Sequence, residues 1–413
     1  MVVLAVSPSR QPFIGCTGCG ALRPAPEPGL RGALACTVCR SELTRTTGRT
    51  LTAAFACSSA TFLFLLPANL FPLLSTSVLG ATRQSHLISS ATAMWSGGWP
   101  WLGLVIAALL VVAPLLRFGL LTVVLGALRF DLRPAWLGRA FRYTNVLEMW
   151  ALTDVFLLAM WIAYVRLAAL VSVTVETGAV CFIIAGLLTL LTRATLCKEA
   201  IWDAIAPANS LSRESANAAI VCSGCGALTP SEQAGQACAR CRKRLHARRP
   251  NAIVFAAALT ATALVLYVPA NLYPMATLPI GLKPSSYTVL EGVIDLVKAH
   301  LFGLGLLVFT ASFAVPLLKL ASLTVCVSSV LTRSQRHLVT KTRLYRVVEE
   351  IGRWSMVDPF VIACFVPVMH YNGLIYGQAN AAATAFTGVV VLTMIATRCF
   401  DPRLMWDARH ADR

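Results

Sequence analysis

The stretch Ser312–Val325, SFAVPLLKLASLTV, is apolar apart from its hydroxyls and one lysine, Lys319, which follows Pro316 by one helical turn. It sits inside a longer apolar segment, Leu301–Leu331, that exceeds the roughly 20 residues needed to cross a bilayer. A lysine in such a segment is expensive and usually faces a partner or a watery cavity. The pattern also occurs earlier, in Ala113–Arg117 (APLLR), with arginine in the lysine's place. Two apolar segments thus carry one internal cation each, and the chain reads as a duplication.

The composition supports a membrane setting. The chain is 57% hydrophobic and 13% charged, with a mean hydropathy of +0.71, which excludes an ordinary soluble globule. The net charge of +17 does not point to nucleic acid, because 29 of the 35 Lys and Arg fall in the patches 1–51, 129–142, 193–250, 332–353 and 398–413. Arg83, Arg166, Lys283 and Lys298 lie in the stretches between them. That alternation is the positive-inside pattern and predicts a multi-pass membrane protein with both termini cytoplasmic. The polar, cysteine-bearing first 50 residues do not have the layout of a cleavable signal peptide.

Periodicity and composition predict an all-α polytopic protein with eight transmembrane helices. Those of the first half are expected at about Leu51–Leu74, Trp101–Leu128, Leu147–Leu170 and Ala179–Leu196. Those of the second are expected at about Asn251–Met275, Leu301–Leu331, Trp354–Tyr376 and Ala381–Cys399. Leu87–Trp95 reads as a short interfacial helix. The halves align at CTGCGAL (Cys16–Leu22) with CSGCGAL (Cys222–Leu228), and at LPANLFP (Leu66–Pro72) with VPANLYP (Val268–Pro274). Trp150…Asp154 aligns with Trp354…Asp358, and Trp202-Asp203 with Trp406-Asp407. The offsets lie between 202 and 206 residues. Each half begins on the same side and crosses four times, so the repeats are parallel, not inverted. The expected organisation is a cysteine module in 1–50, membrane repeat 1 in 51–196, linker and second module in 197–250, membrane repeat 2 in 251–399, and a polar cytoplasmic tail in 400–413.

Each module carries two C-x2-C knuckles: Cys16, Cys19, Cys36 and Cys39 in the first, and Cys222, Cys225, Cys238 and Cys241 in the second. Two knuckles bring four thiolates around one soft metal, the pattern of a zinc ribbon, and the glycines after Cys19 and Cys225 suit the tight knuckle turn. Two Zn2+ ions, one per module, are therefore expected in a structural role. A rubredoxin-like iron site uses the same four ligands and stays open at this point. On the cytoplasmic side thiols stay reduced, which argues against disulfides. The six histidines show no metal-binding spacing, and no phosphate loop, nucleophile elbow or other enzyme motif is present. The chain is not expected to be an enzyme.

Helical spacing places Ser312 on the face of Lys319 and Ser355 on that of Asp358. Lys319 and Asp358 fall at matching depths, so an ion pair between them is expected, with Asp358 able to take up a proton. Thr393 completes a polar cluster. The first half keeps Arg117, Asp154 and Thr189 but has Leu110 for Ser312 and Ala151 for Ser355. The second repeat is therefore the expected working half. The plainer alternative, in which Lys319 snorkels to the headgroups and Asp358 caps its helix, stays open.

The duplicated C-x2-C-G-A-L knuckles, both Pro-Ala-Asn-x-x-Pro segments, Val-Pro-Leu-Leu-Lys and Trp354–Phe360 together resemble the paraquat-inducible protein A family of bacterial inner-membrane proteins, over essentially the whole chain. The resemblance implies a periplasmic partner with mammalian-cell-entry domains, which bridges toward the outer membrane, and a role in exchanging phospholipid with it. It also implies a transport network of Ser312, Lys319, Ser355, Asp358 and Thr393. Two other readings remain: a membrane redox protein with iron in the cysteine modules, and a scaffold that transports nothing.

Overall fold

The computed structural model describes residues 13–24, 32–46, 50–78, 81–168, 171–207, 219–280, 283–298, 300, 302–368 and 378–411. The first cysteine module consists of two hairpins, β1 (Phe13–Gly15) with β2 (Leu22–Pro24) and β3 (Gly32–Ala35) with β4 (Glu42–Thr46). The first repeat follows. Helix α1 (Leu51–Leu70) leads to β5 (Leu74–Val78), β6 (Ala81–Ser85), α2 (Leu87–Ser96) and the long helix α3 (Pro100–Arg129). Then come α4 (Leu137–Leu147), α5 (Thr153–Ala168), β7 (Ser172–Val175), α6 (Thr177–Thr195) and α7 (Lys198–Ile205). The second module holds the hairpin β8 (Ala219–Val221) and β9 (Leu228–Pro230). The second repeat runs through α8 (Ala252–Leu272), β10 (Ala276–Ile280), β11 (Lys283–Tyr287), α9 (Val289–Lys298) and α10 (Phe302–Leu331). It closes with α11 (Leu338–Ile351), α12 (Val357–Val368), β12 (Gln378–Ala379), α13 (Ala381–Cys399) and α14 (Leu404–Ala411).

Among the described residues, six helices are long and apolar enough to cross a membrane: α1, α3, α6, α8, α10 and α13. The segments expected at Leu147–Leu170 and Trp354–Tyr376 are shorter helices instead. The first begins only at Thr153, because residues 148–150 turn after α4, and its 16 residues span about 24 Å. The second begins at Val357, after a 3₁₀ stretch, Gly352–Met356, that continues from α11. Tyr376 lies outside the described residues. Helix α5 starts just after α4 and ends just before β7.

The all-α expectation needs a correction at the end of the bundle away from the cysteine modules. There each repeat builds a three-stranded antiparallel sheet, β6-β5-β7 and β11-β10-β12. The signal lay in the short Ser/Thr-rich runs after α1 and α5, where Ser75 and Thr174, and Ser77 and Ser172, pair their hydroxyls at 2.7 Å across the strands.

Local chemistry explains the long helices. Thr50 accepts the Ala53 N–H and caps α1. Pro67 and Pro269 lie inside α1 and α8, and Asn69 and Asn271 donate to the Leu65 and Tyr267 carbonyls at 2.7 and 2.8 Å. The Pro-Ala-Asn segments therefore sit in the last turns of continuous helices. In α3 and α10 the turns Ala108–Val112 and Thr310–Ala314 are π-helical, just before Pro114 and Pro316. Proline cannot donate its N–H and its ring crowds the preceding turn, and the wider π turn makes room.

Helices α5 and α12 lie at the centre and are packed on each other. Phe156 and Phe360, equivalent positions of the two repeats, meet edge-on at 5.6 Å between centroids. Val155, Phe156, Ala159, Ile162 and Ala163 are fully buried, in one core shared by both halves.

The cysteine modules are exchanged between repeats. Module 1 precedes repeat 1 but packs on repeat 2, against Ala256, Cys326, Leu338, Tyr345, Phe400 and Trp406. Module 2 precedes repeat 2 but packs on repeat 1, against Ala54, Leu121, Leu125, Phe141, Ile201 and Trp202. The modules also touch each other, Gly15 against Val221. The expected polar tail is part of this packing. Asp401 and Arg403 are buried beside α14, and Trp406 of α14 donates to Thr342 at 3.1 Å.

Candidate functional site

The four thiols of each module converge. Within each set the sulfur atoms lie within 4.8 Å of one another. Cys16–Cys39 and Cys19–Cys36 are 3.5 and 3.7 Å apart, and Cys222–Cys241 and Cys225–Cys238 are 3.6 and 3.7 Å apart. Sulfurs at ~2.3 Å from a central ion would form a tetrahedron with edges of about 3.8 Å, so the donor set fits one soft divalent metal per module. Backbone N–H groups support the sulfurs, Gly18 on Cys16 at 3.4 Å and Gly224 on Cys222 at 3.5 Å. The knuckle glycines Gly20 and Gly226 have φ of +80° and +73°, as their position suggested. The second knuckle of each module makes the same turn with Arg40 and Arg242, at φ of +57° and +59°. The modules differ beside the second knuckle. Ser41 Oγ lies 2.9 Å from Cys39 Sγ and 3.3 Å from Cys16 Sγ, where module 2 has Lys243.

The polar residues of repeat 2 form two groups. Lys319, 2% exposed, directs Nζ to the Gly352 carbonyl at 3.4 Å, and Ser355 Oγ donates to the same carbonyl at 2.6 Å. The expected Lys319–Asp358 ion pair is not formed. Asp358 is instead under the influence of Ser312 and of Arg166 from repeat 1, and neither Asp358 Oδ2 nor Ser312 Oγ has a hydrogen-bond partner. Thr393 turns back to donate to Val390 O of its own helix at 2.9 Å. The reason for the missing pair is local. Gly352 has no side chain, so the lysine fills that space: a Cβ there would sit 2.8 Å from Lys319 Cε.

Repeat 1 solves the same burial differently. Arg117, also 2% exposed, pairs with Glu148 at 3.4 Å and not with Asp154. Glu148 and Gly352 are 204 residues apart, the offset that also relates Asp154 to Asp358. Glu148 binds Lys198 too, at 2.6 Å. Asp154 pairs with Arg193 at 2.7 Å and with Arg353, from repeat 2, at 3.4 Å. Thr189 donates to its own helix, to Ala185 O at 2.8 Å. Sequence reasoning passed over Glu148, Arg193, Arg353 and Gly352. The usable signal was the offset itself, which sets a carboxylate opposite a glycine beside the two internal cations.

These features define a duplicated multi-pass membrane protein in which each half carries a four-thiol metal site and a buried cation in its longest helix. The profile of the family described as Paraquat-inducible protein A matches residues 51–206 and 255–410, and the chain belongs to that family. The intermembrane transport protein PqiA of Escherichia coli (strain K12) is 30% identical over 377 residues, covering 87% of this chain and 89% of the relative. The lipophilic envelope-spanning tunnel protein A of the same strain is 27% identical over 405 residues, covering 97% and 93%. A probable intermembrane transport protein of Haemophilus influenzae is 26% identical over 352 residues, covering 83% of each chain. Two of these relatives are named as intermembrane transport proteins and one as a tunnel protein, and none as an enzyme. No solved structure matches the chain.

Proposed function

We propose that this protein is the inner-membrane subunit of a lipid transport system. It exchanges phospholipid between the inner membrane and a periplasmic protein with mammalian-cell-entry domains. In this reading α5 and α12 complete eight crossings, both termini and both modules are cytoplasmic, and each module holds Zn2+ in a structural role. Repeat 2 is the moving half, and Lys319 and Asp358 couple its change of state to proton movement. Ser312, Ser355 and Thr393 line the same path.

One observation carries the proposal: Lys319 and the Asp358 carboxyl oxygen Oδ2 are buried in the second half without a bonded counter-charge, whereas Arg117 and Asp154 each have one. A buried ion without a bonded partner destabilises a membrane bundle, so its presence favours a working role. The names of the relatives support the substrate class. In reconstituted vesicles, Lys319→Ala or Asp358→Asn at unchanged protein level should slow lipid transfer by about tenfold or more, ~1.4 kcal/mol in the barrier. Wild-type rates in both variants would sink the coupling mechanism, and no transfer by the wild-type protein would favour the scaffold reading. Stoichiometric iron with visible absorption in the purified protein would favour the redox reading.

A further inference from the structure

The ion pairs of repeat 1 leave more cationic donors than they use. Arg117 from α3, Arg193 from α6 and Lys198 from α7 gather with Arg353 of the second repeat around two carboxylates, Asp154 and Glu148. Four cations therefore face two anions. None of the three arginines engages a carboxylate with its two-pronged fork. Arg193 Nη1 and Arg353 Nη2 share the single oxygen Asp154 Oδ2, and Arg117 meets Glu148 through Nη2 alone. Arg117 Nη1, Arg193 Nε and Nη2 and Arg353 Nε are buried without any hydrogen-bond partner. So is Thr153 Oγ1, at the first residue of α5, whose positive dipole end adds to the local field. At the rim, exposed Glu350 acts on Arg353, and Arg398 lies against Met149 at 3.1 Å. The excess of cation remains with these counted.

Buried guanidinium N–H groups left unbonded destabilise the site by one to a few kcal/mol each, so a cluster of them calls for acceptors. A tetrahedral phosphate supplies several acceptor oxygens and negative charge, and arginine is the side chain best matched to it. One acceptor in the cluster is also unbonded, Asp154 Oδ1. It requires a donor on the same ligand, such as a hydroxyl next to the phosphate. We infer that the Arg117–Arg193–Arg353 cluster around Asp154 binds a phosphate-bearing anion, either the headgroup of a phospholipid or free phosphate. This gives repeat 1 a binding role of its own. It goes beyond the transport reading, and only the headgroup source rests on that reading.

The test uses the purified full chain in detergent and reads ligand-dependent thermal stabilisation, which rises with ligand concentration over Kd. The probes are inorganic phosphate and dihexanoyl phosphatidylglycerol below its micellar concentration, with dihexanoylglycerol as the phosphate-free control. Wild type should be stabilised by at least one phosphate probe and not by the control. Stabilisation by the phospholipid alone identifies a headgroup, and stabilisation by inorganic phosphate identifies the free anion. Arg193→Gln should weaken binding by about tenfold or more, as expected for a lost charge-assisted bond. Arg353→Gln, at the more exposed rim and contributed by the other repeat, should do the same if the first variant does not fold. Lys319→Ala should bind as wild type, which separates this site from the transport reading. The inference is overturned if neither probe stabilises wild type, leaving the donors to water only, or if both arginine variants bind as tightly as wild type.

Discussion

The two halves of this molecule bury a cation at the same place and neutralise it differently. In repeat 1, Arg117 has a carboxylate, Glu148, which Lys198 holds from the far side. In repeat 2, Lys319 has only the dipole of a peptide carbonyl, shared with Ser355. The same contrast holds one turn further along. Asp154 is clasped by two arginines, while the carboxyl oxygen Oδ2 of Asp358 is unbonded. A clasped ion pair fixes its helices, and an unclasped buried charge leaves them free to answer a change in protonation or ligand. The duplication therefore reads as one anchored half and one responsive half.

The exchanged modules offer the largest way to break this comparison. A structural four-thiolate metal contributes on the order of 10 kcal/mol to its module. Cys19→Ser with Cys36→Ser should reduce bound metal from two ions per chain to one and raise hydrogen exchange in α11 and α14 of repeat 2. Cys225→Ser with Cys238→Ser should loosen α4 and α7 of repeat 1. Each module would then act on the half it packs against, as its core neighbours there, Trp406 for the first and Trp202 for the second, require. Loosening of the half adjacent in sequence instead would refute the exchange.

A smaller effect tests the neutralisation itself. Arg117→Met leaves Glu148 with Lys198 alone. It should destabilise the protein by up to about 3 kcal/mol, the low end for breaking a buried pair, because one partner remains. Lys319→Met removes a buried charge that has no ionic partner and keeps much of the volume, so thermal unfolding in detergent should be unchanged or shifted upward while lipid transfer falls. Equal losses of stability in both variants would erase the contrast. Gly352→Ala sharpens it further, since the added Cβ would stand 2.8 Å from Lys319 Cε and 3.0 Å from Nζ. The expected stability loss is about 1 kcal/mol, with the lysine displaced from the carbonyl. A crystal or cryo-microscopy structure with Lys319 unmoved would contradict that account.

Much of this was legible in the sequence, for physical reasons that differ by region. Long apolar runs and C-x2-C spacing are strong local signals, so α1, α3, α6, α8, α10, α13 and the eight thiols were found where expected. The short strands β5–β7 and β10–β12 were missed because each sheet is completed by a strand about a hundred residues away, β7 on β5 and β12 on β10. Pairing of charges was the weakest inference. Depth along a helix placed Lys319 and Asp358 at one level, but the direction of each side chain depends on what fills the neighbouring position. A glycine at 352 and a glutamate at 148 decided it. The exchange of modules left no local trace, because the partners that decide it, such as Trp406 for the first module, lie far away in the chain.

A comparable but pH-dependent effect concerns the segment that follows α6 in repeat 1 and α13 in repeat 2. In repeat 2, Arg403 grips Asp401 with two bonds of 2.9 Å, and the Arg403 and Arg249 N–H groups also face the carboxylate. Burial opposes ionisation of Asp401, but these donors outweigh it and hold its carboxyl below the usual range. The corresponding positions in repeat 1 are Cys197 and Glu199, 3.7 Å apart, with no arginine between them. A carboxyl depressed in the folded state stabilises it above the unfolded value of about 3.9, and the contribution fades as pH falls through the folded value. Arg403→Gln should therefore lower stability by about 1–2 kcal/mol at pH 7, with the gap to wild type closing below about pH 4. Unfolding midpoints measured across pH 3 to 7 check this, and parallel curves for Arg403→Gln and wild type would show that Asp401 carries no linkage and that the two segments are equivalent after all.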